Sequence, residues 1–150
     1  MLTYERLNLN GMLPSMNTTI QTNRYNCYAG ARLERDYVEQ VRVQVWSALK
    51  KGFISPAVQP CIMLIEFNEP DRRRDADNVE SAAKFILDGC VRGGWLSGDD
   101  RSCVVDVQSR VVLDKRNKHH QLVTVIQGKA EELYGLMDDA WKILRMEGGN

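Results

Sequence analysis

The run Cys61–Phe67, CIMLIEF, limits the possible folds more than any other segment of this chain. It is apolar on both faces, which reads as a strand buried within a sheet. The loop Asn68–Arg74 follows, and the next helix is expected to begin near Asn78. Its apolar positions Val79, Ala82, Ala83, Ile86, Leu87 and Cys90 recur at helical spacing and form one stripe. Gly93-Gly94 is a stop signal.

Around this unit the chain alternates between element types. Residues 2–9 have strand character up to Asn10-Gly11, and a polar loop is expected from Gly11 to about Arg32. Val38, Val41, Val45, Ala48 and Leu49 then recur at helical spacing, closed by Lys50-Lys51-Gly52. Val41, Val43 and Val45 also alternate, so a strand stays open here, although the length and the Glu/Gln/Arg content favour helix. Val104–Leu113 and Leu122–Ile126 read as strands, with the basic segment Asp114–His120 as their hairpin connection. Ala130–Met146 reads as a second amphipathic helix, with Leu133, Met137, Ala140 and Leu144 on one side. The order β, α, β, α, β, β, α predicts an α+β (mixed α/β) domain, a mixed sheet flanked by helices. Residues 1–150 form one domain in this reading, and about 129–150 are an additional C-terminal helical extension.

Composition excludes several classes. A chain of 150 residues is most simply one domain. No apolar stretch approaches the roughly 18 residues that span a bilayer, and MLTYERLNLN lacks the pattern of a signal peptide. A cytoplasmic protein without a membrane partner is the expectation. Cys27, Cys61, Cys90 and Cys103 form no CxxC pair, so free thiols are expected rather than a zinc ribbon or a redox motif. Cys61 and Cys90 lie in apolar patterns and read as buried. A net charge of zero does not suit a nonspecific DNA coat, but the charges are segregated. Arg72, Arg73 and Arg74 form one basic group; Lys115, Arg116 and Lys118 form another beside His119 and His120.

The segment Pro70–Asn78, PDRRRDADN, carries the chemistry. Asp75 and Asp77 are two apart and, in an extended segment, point the same way. Two such carboxylates repel unless a cation lies between them, and Mg²⁺ prefers hard oxygen ligands. The plainer alternative is an acidic turn with Asp77 as the helix N-cap. On a helix counted from Asp77, the positions Ser81, Lys84 and Asp88 fall within roughly 60° of one another. Lys84 is either an ammonium placed for a scissile phosphate or half of a solvated pair with Asp88. Asp99 and Asp100 follow GGWLSG just before a strand, where they supply a third carboxylate or a plain turn. His119 and His120 are expected as exposed hairpin residues, without the acidic partners usual around a metal-binding histidine. Trp46, Trp95 and Trp141 are expected in the core rather than as base-stacking platforms. Clustered carboxylates beside arginines suit metal-assisted hydrolysis of a phosphodiester.

Taken in order, LPSMN at Leu13–Asn17, PDRRRDADN, AKFILDG and GGWLSGDD before a strand resemble the RusA family of Holliday junction resolvases. The resemblance covers roughly Leu7 to Ile126. It implies a Mg²⁺-dependent endodeoxyribonuclease, with Mn²⁺ as a substitute, acting as a homodimer on branched DNA in recombination, repair or phage DNA processing. Carried onto this chain, it implies Asp75, Asp77 and Asp100 as metal ligands, Asp99 as the alternative third ligand, and Lys84 as the assisting lysine. Arg72, Arg73, Arg74, Asn17, Lys115, Arg116 and Lys118 are then the expected DNA contacts. The best-known members carry the lysine one turn after DN, where this chain has Ser81; Lys84 lies one turn further along the same face. No counterpart is matched after about Gly128. Two readings stand beside the resolvase: a non-catalytic branched-DNA binder, and a flap- or fork-cutting metal-dependent endonuclease.

Overall fold

Four strands make one mixed sheet in the order β1-β4-β2-β3 in the computed structural model, which describes residues 1–148. Gly149 and Asn150, the end of the expected C-terminal extension, lie outside the described residues. The strands are β1 (Thr3–Asn10), β2 (Cys61–Glu69), β3 (Val104–Leu113) and β4 (His120–Gln127). β2 runs parallel to β3 and antiparallel to β4, which in turn pairs antiparallel with β1. The expected hairpin between β3 and β4 is therefore not formed. β2 lies between them, because the longest apolar strand takes a central position where both of its faces are covered.

Alternate residues of β2 enter two separate cores. Met63, Ile65 and Phe67 face a layer built from α2 (Cys27–Lys50), α3 (Ala76–Glu80) and α4 (Ala83–Arg92), which contributes Val41, Val45, Val79 and Ile86. Ile62 and Leu64 face the C-terminal layer of α5 (Ala130–Leu136) and α6 (Ala140–Gly148), with Leu133, Ala140 and Leu144. The result is a single compact α+β domain, and the C-terminal segment forms one face of it. α4 lies close against α2, where a Cβ added at Gly89 would collide with Val41. Among the described residues, no helix is long and apolar enough to cross a membrane.

The helices correct three expectations and bear out a fourth, the helix favoured over a strand at Val41–Val45. The stretch expected as a polar loop contains α1 (Met16–Tyr25) and the first turns of α2. Ser15 caps α1 by accepting from the Thr18 N–H, and the Asn26 side chain caps α2 by accepting from Tyr28 and Ala29. The strand alternative for Val41–Val45 does not occur: Val41 and Val45 are buried on α2 and Val43 is exposed. The helix after the arginine run begins at Ala76 and breaks at Ser81-Ala82, where the Ser81 hydroxyl donates to the Asn78 carbonyl. The C-terminal helix is interrupted by a 3₁₀ turn at Met137–Asp139. Of the tryptophans, Trp95 is fully buried, Trp141 lies under the Arg110 guanidinium at 4.4 Å, and Trp46 is half exposed beside Lys50.

Candidate functional site

The loop that leaves the C-terminal end of β2 carries both the arginine run and the aspartate pair. Asp75 has extended backbone (ψ 145°) at the N-cap position of α3, where it caps through its carbonyl alone; Asp77 lies in the first turn. Asp77 is thus not the N-cap. Both side chains are exposed and, among the described residues, neither carboxylate makes a hydrogen bond or an ion pair. These are free, hard oxygen donors. They fit Mg²⁺, which takes one or two carboxylates and leaves its other positions to water and phosphate.

The three arginines divide by role. Arg72 and Arg73 are exposed; the Arg73 guanidinium lies 3.6 Å from Asp71, which also accepts from the Arg73 N–H at 3.0 Å. Arg74 turns inward. Its guanidinium donates from Nε and Nη2 to the two oxygens of Glu69, at 2.8 and 3.1 Å, and from Nη1 to the Leu13 carbonyl at 2.7 Å. Glu69 is buried at the end of β2. Arg74 therefore ties the LPSMN loop to the sheet and is not free as a DNA contact, contrary to the sequence expectation. Each of its three nitrogens donates one bond, two of them in a fork that a carboxylate matches.

Lys84 is exposed in the first turn of α4, beyond the break at Ser81-Ala82. With Asp88 it lines a small cleft of about 80 Å³ shared with Glu34, Arg35 and Arg92. Asn17 is exposed in the first turn of α1.

Asp99 and Asp100 lie elsewhere. The Asp100 carboxylate accepts from the Ser102 N–H at 2.8 Å and from the Ser102 hydroxyl. The hydroxyl, then the N–H, holds its pKa below the usual carboxylate range. Its carbonyl accepts from Cys103 and Val104 at the start of β3. Because β2 and β3 are parallel, with Cys61 opposite Val104 and Glu69 opposite Leu113, Asp99-Asp100 and Asp75–Asp77 belong to opposite ends of the strand pair. A strand of that length spans roughly 26–30 Å. Accordingly, no three His, Cys, Asp or Glu side chains among the described residues are grouped to hold a metal.

The second basic group borders a cleft of about 1080 Å³ between the end of β1 and the β3–β4 connection. Asn8, Asn10, Gly11, Met12 and Pro70 form one side; residues 115–120 form the other. Pro70 begins the loop that carries Asp75. Lys115, Arg116 and Lys118 are exposed at its rim. The histidines are not the exposed hairpin residues expected, and each has an acidic partner. His119 Nε2 lies 3.6 Å from Glu69, and His120 bridges Asp114 (3.0 Å) and Asn8 (2.7 Å). Hydrogen bonds from His120 first, then Asn117, hold the Asp114 carboxyl at about 2.

Sequence reasoning missed Glu69 and the two histidines. The available signal was a charged residue closing an apolar strand just before Pro70. Burial raises the Cys61 thiol to about 12 and raises Cys90 also, as expected for inert core thiols.

Compared with protein-family models and with curated proteins, the chain matches none.

Proposed function

We propose that this chain is a Mg²⁺-dependent, structure-selective endodeoxyribonuclease that resolves Holliday junctions by paired symmetric nicks, as its motif resemblance to the RusA family implies. The observation that carries this reading is the exposed, unpartnered pair Asp75 and Asp77 at the start of α3, beside the loop that projects Arg72 and Arg73. Asp75 and Asp77 hold the ion. A bound Mg²⁺ supplies charge neutralisation at the phosphate and a more acidic water. Arg72 and Arg73 bind neighbouring phosphates without reading sequence, with Asn17 as a further backbone contact. Lys84 brings an ammonium to the same helical layer to stabilise developing charge.

The ends of the β2–β3 pair add a condition. A site that uses Asp75, Asp77 and Asp100 together takes Asp100, or its neighbour Asp99, from a second copy. A C2 dimer then carries two such sites related by a dyad, matching the near two-fold symmetry of a four-way junction. The separation of the carboxylates within one chain also favours a second reading, a branched-DNA binder without cleavage.

Cleavage of a labelled four-way junction in Mg²⁺, by the intact chain and by Asp77→Asn, separates the two. Paired nicks that the substitution abolishes, with binding in EDTA retained, support the resolvase. Tight junction binding without cleavage in Mg²⁺ or Mn²⁺ supports the binder, and preference for flaps or forks points to a different endonuclease specificity.

A further inference from the structure

We infer that the 1080 Å³ cleft between β1 and the β3–β4 connection seats the sugar–phosphate backbone of the DNA strand that flanks the phosphate offered to Asp75 and Asp77. This rests on the nucleic-acid reading above and assigns the strand a path. Pro70 lines the cleft and begins the aspartate-bearing loop, so a strand lying in the cleft leads directly to that loop.

Three properties of the lining point to a polyanionic backbone. First, the rim is cationic and free. Lys115, Arg116 and Lys118 are exposed, and no ion pair engages any of them among the described residues. The only nearby acid of that segment, Asp114, is occupied by His120, Asn117 and the Arg116 N–H. Second, Asn8, Asn10 and Asn117 place polar side chains in a lining that contains no Phe, Tyr or Trp, so it offers phosphate contacts without a stacking platform for bases. Third, the floor is held in place before any ligand arrives. Gly11 donates to the His119 carbonyl (3.1 Å) and accepts from Gln121 (2.9 Å); Asn10 is fixed by Gln44 (2.8 Å). Gly11 has φ +117°, a conformation that side chains rarely adopt, which suits it to this turn.

The cleft is also joined to the aspartate loop. Glu69, buried, contacts His119 on the cleft side and Arg74 on the loop side. One carboxylate thus fixes the spacing between the two surfaces.

The test is equilibrium binding of the full chain to a fluorescent four-way junction, and to a duplex of unrelated sequence, across a salt series in EDTA. The variant is K115A/R116A/K118A; the control is K142A/R145A in the C-terminal helical layer. The triple variant is expected to melt as the intact protein does and to lose about 2–3 from the slope of log affinity against log salt, on both DNAs, since each lost phosphate contact removes about 0.9. The control should not change the slope. An unchanged slope and affinity in the triple variant overturns the cleft assignment even if the protein cleaves junctions. Loss of slope in a protein that never cleaves keeps the cleft and removes the nuclease. No DNA binding by the intact chain removes both.

Discussion

Replacing Arg74 with alanine should unfold more of this protein than any other change in the arginine run. The guanidinium makes two hydrogen bonds to Glu69 and one to Leu13. The Glu69 side chain is 5% exposed and that of Arg74 is 21% exposed. Removing one partner of a buried pair costs about 3–5 kcal/mol, because the other charge stays buried without compensation. Here Arg74 keeps some solvent contact, and His119 remains 3.6 Å from Glu69. Both facts move the expected loss to the low end, about 3 kcal/mol. Against a total of about 5–15 kcal/mol, that loss is large. In urea it lowers the midpoint by about 1–2 M at ordinary slopes for a domain of this size. Arg72→Ala and Arg73→Ala, at exposed positions, should change stability by less than about 0.5 kcal/mol. Arg74→Lys should rescue little, since an ammonium lacks the fork. Adding Glu69→Gln to Arg74→Ala should recover part of the loss, because the uncompensated charge is gone. If Arg74→Ala denatures within 0.5 kcal/mol of Arg72→Ala, the structural role assigned to Arg74 is wrong.

Other substitutions and conditions test separate parts of the structure. Ile86, fully buried in the α4 stripe, should lose about 2–5 kcal/mol as Ile86→Ala in chemical denaturation, whereas an exposed α4 site such as Lys84→Ala should lose little. Asp114 has a folded pKa of about 2, below its unfolded value near 3.9. Its contribution is therefore complete above pH 4 and is lost as pH falls toward 2. Denaturation midpoints between pH 5 and 2 should fall less steeply in Asp114→Asn than in the intact chain; parallel curves would remove Asp114 from the account. Under native conditions a thiol reagent should label exposed Cys27 quickly and half-buried Cys103 more slowly, and reach Cys61 and Cys90 only on unfolding. Fast labelling of Cys90 would contradict the α2–α4 packing.

The elements legible in the sequence were those whose side-chain pattern is set by burial. Cys61–Phe67 had to be a central strand because no register gives it a polar face, and the Val79–Cys90 stripe had to cover one side of it. α1 escaped notice because its sequence, MNTTIQTNRY, has almost no apolar periodicity. Ser15 and Asn26 start the two helices there through caps, and packing on α2 and α3 completes them. The break at Ser81-Ala82 was hidden for the opposite reason. The apolar stripe continues through it, and one hydroxyl bonded to the Asn78 carbonyl goes with the interruption.

The site was legible as a list of residues but not as an arrangement. Residue types and spacing single out Asp75 and Asp77 as candidate ligands; that both carboxylates are exposed and unpartnered, one on extended backbone and one in the first turn of α3, comes from the structure. Types and spacing say nothing about which arginine of three identical residues turns inward. That depends on Glu69 being buried, and on Leu13 approaching from a loop sixty-one residues away. The pairing of β3 with β2 has the same character. A short connection between β3 and β4 is the strongest local hint of a hairpin, yet β2 lies between them because burying its two apolar faces outweighs that local preference. The parallel run of β3 beside β2 puts Asp100 at the far end from Asp77. The strand order also keeps residues 115–120 out of a two-strand hairpin and available to form the wall of a cleft. The same topology therefore opens the basic groove and separates the carboxylates, so a chain that cuts DNA with all three must do so as a pair.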